Sequence, residues 1–127
     1  MTFCTTINCM DGRVQLPVIT FLQKRFNADL VDSITEPGPN RILSDQTPQD
    51  LFASIFNRIR ISIEKHRSVG IAVVGHFDCA GNPTDRTEQT IQTQNAVDVI
   101  KRHYPNIPII GLWVDEHWHV HELDIGH

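Results

Sequence analysis

The sequence predicts an α/β fold: a mainly parallel central sheet with helices on its faces and an antiparallel final edge strand. Three observations carry this. Short β-branched or apolar runs alternate with segments of helical periodicity, in the order β-α-β-α-β-α-β-β. Two of the runs, Gly70–Gly75 and Ile107–Val114, are apolar without alternation, as in strands buried on both faces. The chain has 127 residues, which suits one domain spanning 1–127, and its 40% hydrophobic content is enough for a core without disulfides.

The elements follow in order. Thr2 to Cys9 reads as a strand that ends before Asp11-Gly12. Val18, Ile19, Leu22 and Phe26 then recur at helical spacing, with Pro17 expected in the first turn and Asn27 closing the helix. A second strand covers about Ala28 to Thr35. Glu36-Pro37-Gly38-Pro39-Asn40 predicts a rigid loop that runs on to Asp45, because two prolines fix φ and remove two donors. Thr47-Pro48-Gln49-Asp50 reads as an N-cap followed by proline in the first turn. The helix behind it sets Phe52, Ile55, Phe56, Ile59 and Ile63 on one side and ends near His66-Arg67.

After the Gly70–Gly75 strand, His76 to Pro83 is a loop. Asp85 and Glu88 form a capping pair for a third helix, with Ala96, Val97, Ile100 and Tyr104 facing inward and Pro105 ending it. Ile107 to Val114 is the next strand. A turn at Asp115-Glu116 leads to an alternating edge strand, Trp118 to Leu123.

The net charge of -4 argues against a nucleic-acid binder, which needs a basic face. No apolar run is long enough to span a bilayer. The N-terminus shows no basic region followed by a long apolar stretch, so a cytoplasmic protein without a secretory signal is expected. Three cysteines do not describe a disulfide scaffold and suit a reducing compartment.

Open α/β sheets bind ligands beyond the carboxyl ends of their strands. Two reactive clusters fall at such ends: Cys9-Met10-Asp11-Gly12-Arg13, and His76-Phe77-Asp78-Cys79. If the two strands are neighbours, Cys9, His76 and Cys79 meet in one crevice. Two thiolates and an imidazole suit tetrahedral Zn2+, and three protein ligands leave a fourth position for water. Asp11 and Arg13 can form a bidentate carboxylate–guanidinium pair beside it. The plainer reading is two buried thiols, a loop histidine and an ordinary ion pair.

Cys-x-Asp-x-Arg after the first strand and Gly-His-x-x-Cys after a later one resemble the β-class carbonic anhydrases, as does the ending Gly111-Leu112-Trp113-Val114-Asp115. The resemblance implies zinc held by Cys9, His76 and Cys79 and an Asp11–Arg13 dyad that orients zinc-bound hydroxide. It also implies reversible hydration of carbon dioxide to bicarbonate, and a homodimer or higher homo-oligomer. In some members of that family the aspartate leaves its arginine and closes the fourth metal position.

The chain departs from the family pattern in several places. Only eight residues precede Cys9, so no helical arm is expected there. Glu36–Asn40 stands where an Arg-Asn-Ala-Gly type stretch is usual, Ala80 stands for Gly, and Gly12 for Ser.

Two further functions remain open at this point. One is hydrolysis of a related linear molecule, carbonyl sulfide or carbon disulfide, at the same zinc. The other is a non-catalytic zinc protein with a closed site. A dithiol redox role is disfavoured because Cys9 and Cys79 lie on different strands without a Cys-x-x-Cys motif. Cys4 reads as a core residue and Asp78 as a loop cap or an acceptor beside the site. His117, His119 and His121 recur at period two, so they are expected on one face of the last strand. With His127 they form a weak candidate metal patch. His66 and His103 sit where a helix C-terminus favours a cationic ring.

Overall fold

The computed structural model describes residues 1–125. Its elements are β1 (Phe3–Cys9), α1 (Gly12–Arg25), β2 (Leu30–Glu36), α2 (Pro39–Asp45), α3 (Gln49–Glu64), β3 (Ile71–His76), α4 (Arg86–His103), β4 (Ile109–Val114) and β5 (Val120–Glu122). The strands form one sheet in the order β2-β1-β3-β4-β5. All neighbours are parallel except β4 and β5.

The period of two in each strand splits the core between the two faces of the sheet. Ile71 and Val73 of β3 meet Ile7, Ile42, Leu43, Ile55, Ile59, Ala96 and Ile100, under α2, α3 and α4. Ala72 and Val74 meet Cys4, Val14, Val18, Leu22 and Leu112, under α1. A strand covered on both sides has no polar face to show, which is why β3 and β4 read as unbroken apolar runs.

Four local expectations are corrected. The stretch read as a loop to Asp45 contains α2. Gly38 caps it with a φ of +60°, Pro39 opens it, and Ile42 and Leu43 are buried in the core. Proline preset for the first turn therefore starts this helix rather than preventing one. Thr47 does not cap α3: Pro48 stands at the N-cap and no side chain bonds the helix end. Helix α1 begins at Gly12, so Pro17 lies inside it. Its start is set by Asp11, whose side chain accepts from the Arg13 N–H. Finally, β5 is only Val120–Glu122. The carboxylate of Asp115 accepts from the backbone N–H of His117 and of His119, which holds these two residues in the turn.

Candidate metal centre

Cys9 is the last residue of β1 and His76 the last of β3. The two strands are hydrogen-bonded neighbours, as the crevice argument requires. The loop after β3 turns back at Asp78, in the left-handed region with φ +57°, and brings in Cys79. Cys9, His76 and Cys79 are all buried, and one ligand atom from each lies within 4.8 Å of the others.

Three details show that this cluster fits a tetrahedral soft metal. The two sulfurs are 3.8 Å apart. Thiolates about 2.3 Å from a tetrahedral ion stand about 3.8 Å apart, whereas a disulfide needs about 2.05 Å. His76 Nδ1 lies 2.8 Å from the Phe77 carbonyl oxygen. That oxygen only accepts, so Nδ1 carries the hydrogen and Nε2 is left with its lone pair. Nε2 is the one buried side-chain N or O atom among the described residues with no hydrogen-bond partner. A buried acceptor without a partner is costly unless something else fills its lone pair.

Cys9 is held far below the ordinary thiol range. The main cause is the hydrogen bond from Cys79. The nearby His76 ring and the Gly38 and Asp11 backbone add to it, against the effect of burial. Cys79 is pushed up by giving its hydrogen to Cys9 and by burial, while the Gly81 and Asn82 backbone pulls it down. His76 loses basicity to burial but gains more from Cys9 and the Phe77 carbonyl, and ends raised. A metal ion would replace the shared proton in such a set.

Two neighbouring loops beside the centre need their glycines. A Cβ on Gly38 would stand 2.6 Å from Asn82 Cβ, and one on Gly81 would stand 2.5 Å from Pro37 Cβ. The Pro37–Gly38 and Gly81–Asn82 turns are therefore pressed together. Gln15 of α1 donates to the carbonyls of Cys9 (2.8 Å) and Asp11 (2.8 Å) and ties the helix to the strand end. Sequence reading passed over Gln15, Gly81 and Asn82. The only signal was a glycine within two residues of each cysteine loop.

Asp11 and Arg13 do pair. Nε donates to Oδ1 at 3.0 Å and Nη2 to Oδ2 at 2.6 Å. The arginine holds the Asp11 carboxyl down at about 2. Asp78 is an acceptor for the same arginine, through Oδ2 at 3.2 Å and its carbonyl at 3.1 Å. The Trp118 ring lies 4.5 Å below the guanidinium carbon. An open cavity of about 680 Å³ reaches the centre at Asp78 and Cys79, with Phe77, Arg86 and Trp113 among its walls.

The other candidates separate from the centre. Cys4 is a core residue, its thiol pushed up to about 11 by burial and by Asp32. His121 bonds Asp115 Oδ2 at 2.6 Å, and the rings of His117 and His119 are 6.2 Å apart in the turn. The expected shared strand face does not exist, because only His121 lies in β5. Among the described residues no group of three metal-ligating side chains other than Cys9, His76 and Cys79 comes together. His127 lies outside the described residues. His66 Nδ1 bonds Asp32 at 2.6 Å, and His103 Nδ1 meets the Val99 carbonyl at 3.1 Å.

A family model described as "Putative carbonic anhydrase" matches residues 1–124. The chain belongs to this carbonic anhydrase family. Solved β-carbonic anhydrases share its fold at low identity, which makes it a divergent member. The tetrameric β-carbonic anhydrases of Sordaria macrospora match at 17% identity and a TM-score of 0.54, over 94% of this chain and 79% of theirs. The carbonic anhydrase of Glaciozyma antarctica matches at 15% and 0.57, over 93% and 80%. The β-carbonic anhydrase CcaA matches at 12% and 0.59, over 96% and 80%. No curated protein sequence matches it. No described helix of this carbonic anhydrase relative is long and apolar enough to cross a membrane.

Proposed function

We propose that this carbonic anhydrase family member binds one zinc ion through Cys9, His76 and Cys79 and catalyses the reversible hydration of carbon dioxide to bicarbonate. The observation that carries the reading is the partnerless Nε2 of His76, buried between two sulfurs 3.8 Å apart. Zinc bound there would supply a Lewis acid that turns water into a nucleophile near neutral pH. Softness of the donor set favours zinc over the hard cations.

Asp11 does its work as an acceptor. Arg13 keeps it ionised, so it can take a hydrogen bond from a water molecule and give none. That fixes which lone pair of the water faces the substrate. Asp78 and Trp118 hold the arginine from its far side, so the pair keeps one orientation. With Asp11 turned to Arg13, no fourth protein ligand is committed, which supports an open site over one closed by Asp11.

The chain is proposed to work as a homodimer or higher homo-oligomer. Relatives in Sordaria macrospora are tetrameric, and Met10, Leu16 and Phe77 are exposed apolar residues on the segments that carry the site. We place it in the cytoplasm, where two neighbouring thiols stay reduced and free for a metal.

The test measures zinc content and carbon dioxide hydration on one purified sample, with Asp11→Ala and Cys79→Ser beside it. One zinc per chain and a fast rate lost in both variants is the expected result. Zinc without hydration would overturn the lyase reading and leave carbonyl sulfide, carbon disulfide or a non-catalytic role.

A further inference from the structure

Gln89 lies in the first half of α4, which is polar except for Ile91, yet it is 1% exposed. Its amide is spent on the backbone of one residue. Oε1 accepts from the backbone N–H of His76 at 3.1 Å, and Nε2 donates to the carbonyl of His76 at 2.8 Å. These are the two bonds that a neighbouring strand would normally make to a residue in a sheet.

The reason lies in the strand register. β1 and β3 are paired only from Thr5 with Ile71 to Ile7 with Val73. Beyond that the strands diverge, and the gap between them is the crevice that holds Cys9 and His76. On its other edge β3 stays in register with β4 through His76 and Val114. The edge facing the crevice has lost its partner strand just where the histidine sits. Buried N–H and C=O groups left unpaired there would be destabilising.

Room for the clamp is built in. A Cβ on Gly75 would stand 2.9 Å from Gln89 Oε1, 3.1 Å from Asn40 Nδ2 and 3.3 Å from Thr93 Oγ1. The missing side chain of Gly75 is thus the space that the amide occupies. Asn40 donates to Gln89 Oε1 at 3.4 Å and to Thr93 Oγ1 at 3.3 Å. Asn82, whose N–H donates to the Cys79 carbonyl at 3.3 Å, donates from its side chain to Asn40 Oδ1 at 3.3 Å and to Gln92 Oε1 at 2.6 Å. One buried amide network therefore runs from the Cys79 loop, through α2, to the peptide of His76.

We propose that Gln89 is a positioning residue that replaces the missing β1 pairing at His76 and so holds the imidazole Nε2 at the place where Cys9 and Cys79 converge. The inference rests on the zinc reading above. Its effect is on metal affinity rather than on a chemical step. Outer partners of this kind typically tune metal affinity by about 10- to 100-fold.

Three variants test it. Gln89→Met keeps the volume and removes both bonds. Gln89→Glu keeps the acceptor and loses the donor, and it carries the test if Gln89→Met fails to fold. Thr93→Val disturbs the same network without touching His76. For each, zinc affinity is measured by competition with a chromophoric chelator. Ligand-field bands of the Co2+-loaded protein and the melting temperature of the metal-free protein complete the set.

The expected result for Gln89→Met is zinc binding about 10- to 100-fold weaker, with shifted Co2+ bands. Gln89→Glu should fall between it and the parent, and Thr93→Val should melt lower with unchanged affinity and bands. Parent-like affinity and bands in Gln89→Met, or in Gln89→Glu where that variant carries the test, would overturn the proposal. So would a loss in either that Thr93→Val matches at equal loss of melting temperature. A parent protein that takes up no zinc would sink the metal reading itself, and the positioning role with it.

Discussion

At the carboxyl ends of β1 and β3, a buried histidine meets two thiols and keeps one ring nitrogen unpaired. Nearer the amino ends of β1 and β2, a second polar cluster is packed into the same sheet. There Ser62 Oγ meets Thr5 at 2.7 Å, Ser68 at 2.8 Å and Asp32 at 2.6 Å, and His66 closes on the same Asp32 oxygen. His66 also stacks on Phe3 at 4.3 Å. Both clusters join a histidine to groups from distant parts of the chain. They differ in what is left over. The Ser62 cluster satisfies its hydroxyls internally and fastens α3 to the sheet. The His76 cluster has an acceptor with nothing to accept, and that is the mark of a place made for something else.

The largest test of this contrast is removal of a ligand. Cys79→Ser is expected to lose bound zinc and to drop carbon dioxide hydration to the uncatalysed background, while the chain stays folded. Retention of one zinc per chain, by elemental analysis, would break the comparison.

Gly38→Ala comes next. The new methyl would press on Asn82 at a backbone angle that favours glycine, and the turn beside Cys9 would move. A loss of about 1–3 kcal/mol in folding stability is expected. Denaturant melts of the loaded and metal-free protein should show the loss in both, and larger when loaded.

Ser62→Ala probes the opposite end. It leaves Asp32, Thr5 and Ser68 each short of a partner, at a cost of about 1–3 kcal/mol. Zinc content and hydration per folded chain should not change. A loss of metal in this variant would show that the two ends are coupled.

Trp118→Ala removes the ring under Arg13. A cation–π contact at an exposed site contributes about 0.5–1 kcal/mol. A fall of a few fold in kcat at unchanged zinc content is expected, since the ring touches the arginine and no ligand.

The smallest effect concerns acid. Asp11 is depressed from 3.8 to about 2 by Arg13. An acid whose folded value lies below its unfolded value stabilises the fold fully above the unfolded value and loses that contribution as pH falls through the folded one. The metal-free protein should therefore lose a small increment between pH 3.8 and about 2, and Asp11→Asn should flatten that part of the melting curve against pH.

The two clusters were unequally legible in the amino-acid sequence. Cys9, His76 and Cys79 stand out because soft ligands are rare and fall at strand ends, where an α/β sheet opens. Thr5, Ser62, Ser68 and Asp32 carry no such signal, since hydroxyls and carboxylates occur everywhere on a surface. Helix α2 was hidden because seven residues opening on Gly38-Pro39 look like punctuation, and only burial of Ile42 and Leu43 makes them a helix. The histidines at 117, 119 and 121 misled in the other direction. A period of two is necessary for a strand face but does not create a strand, and the Asp115 turn takes two of them.

The alternation of strands and helices, the apolar runs that must be buried on both faces, and the residue types able to hold a soft metal can all be read from the order of residues. Those are local properties: periodicity, volume and donor chemistry are written into each segment. Three features came from the folded chain alone: β1 and β3 adjoin and then part, the Gly38 and Gly81 turns press together, and an amide from α4 closes the gap beside His76. Each of these joins residues tens of positions apart, and a hydrogen bond across such a distance depends on where the backbone has been carried, which no single segment specifies.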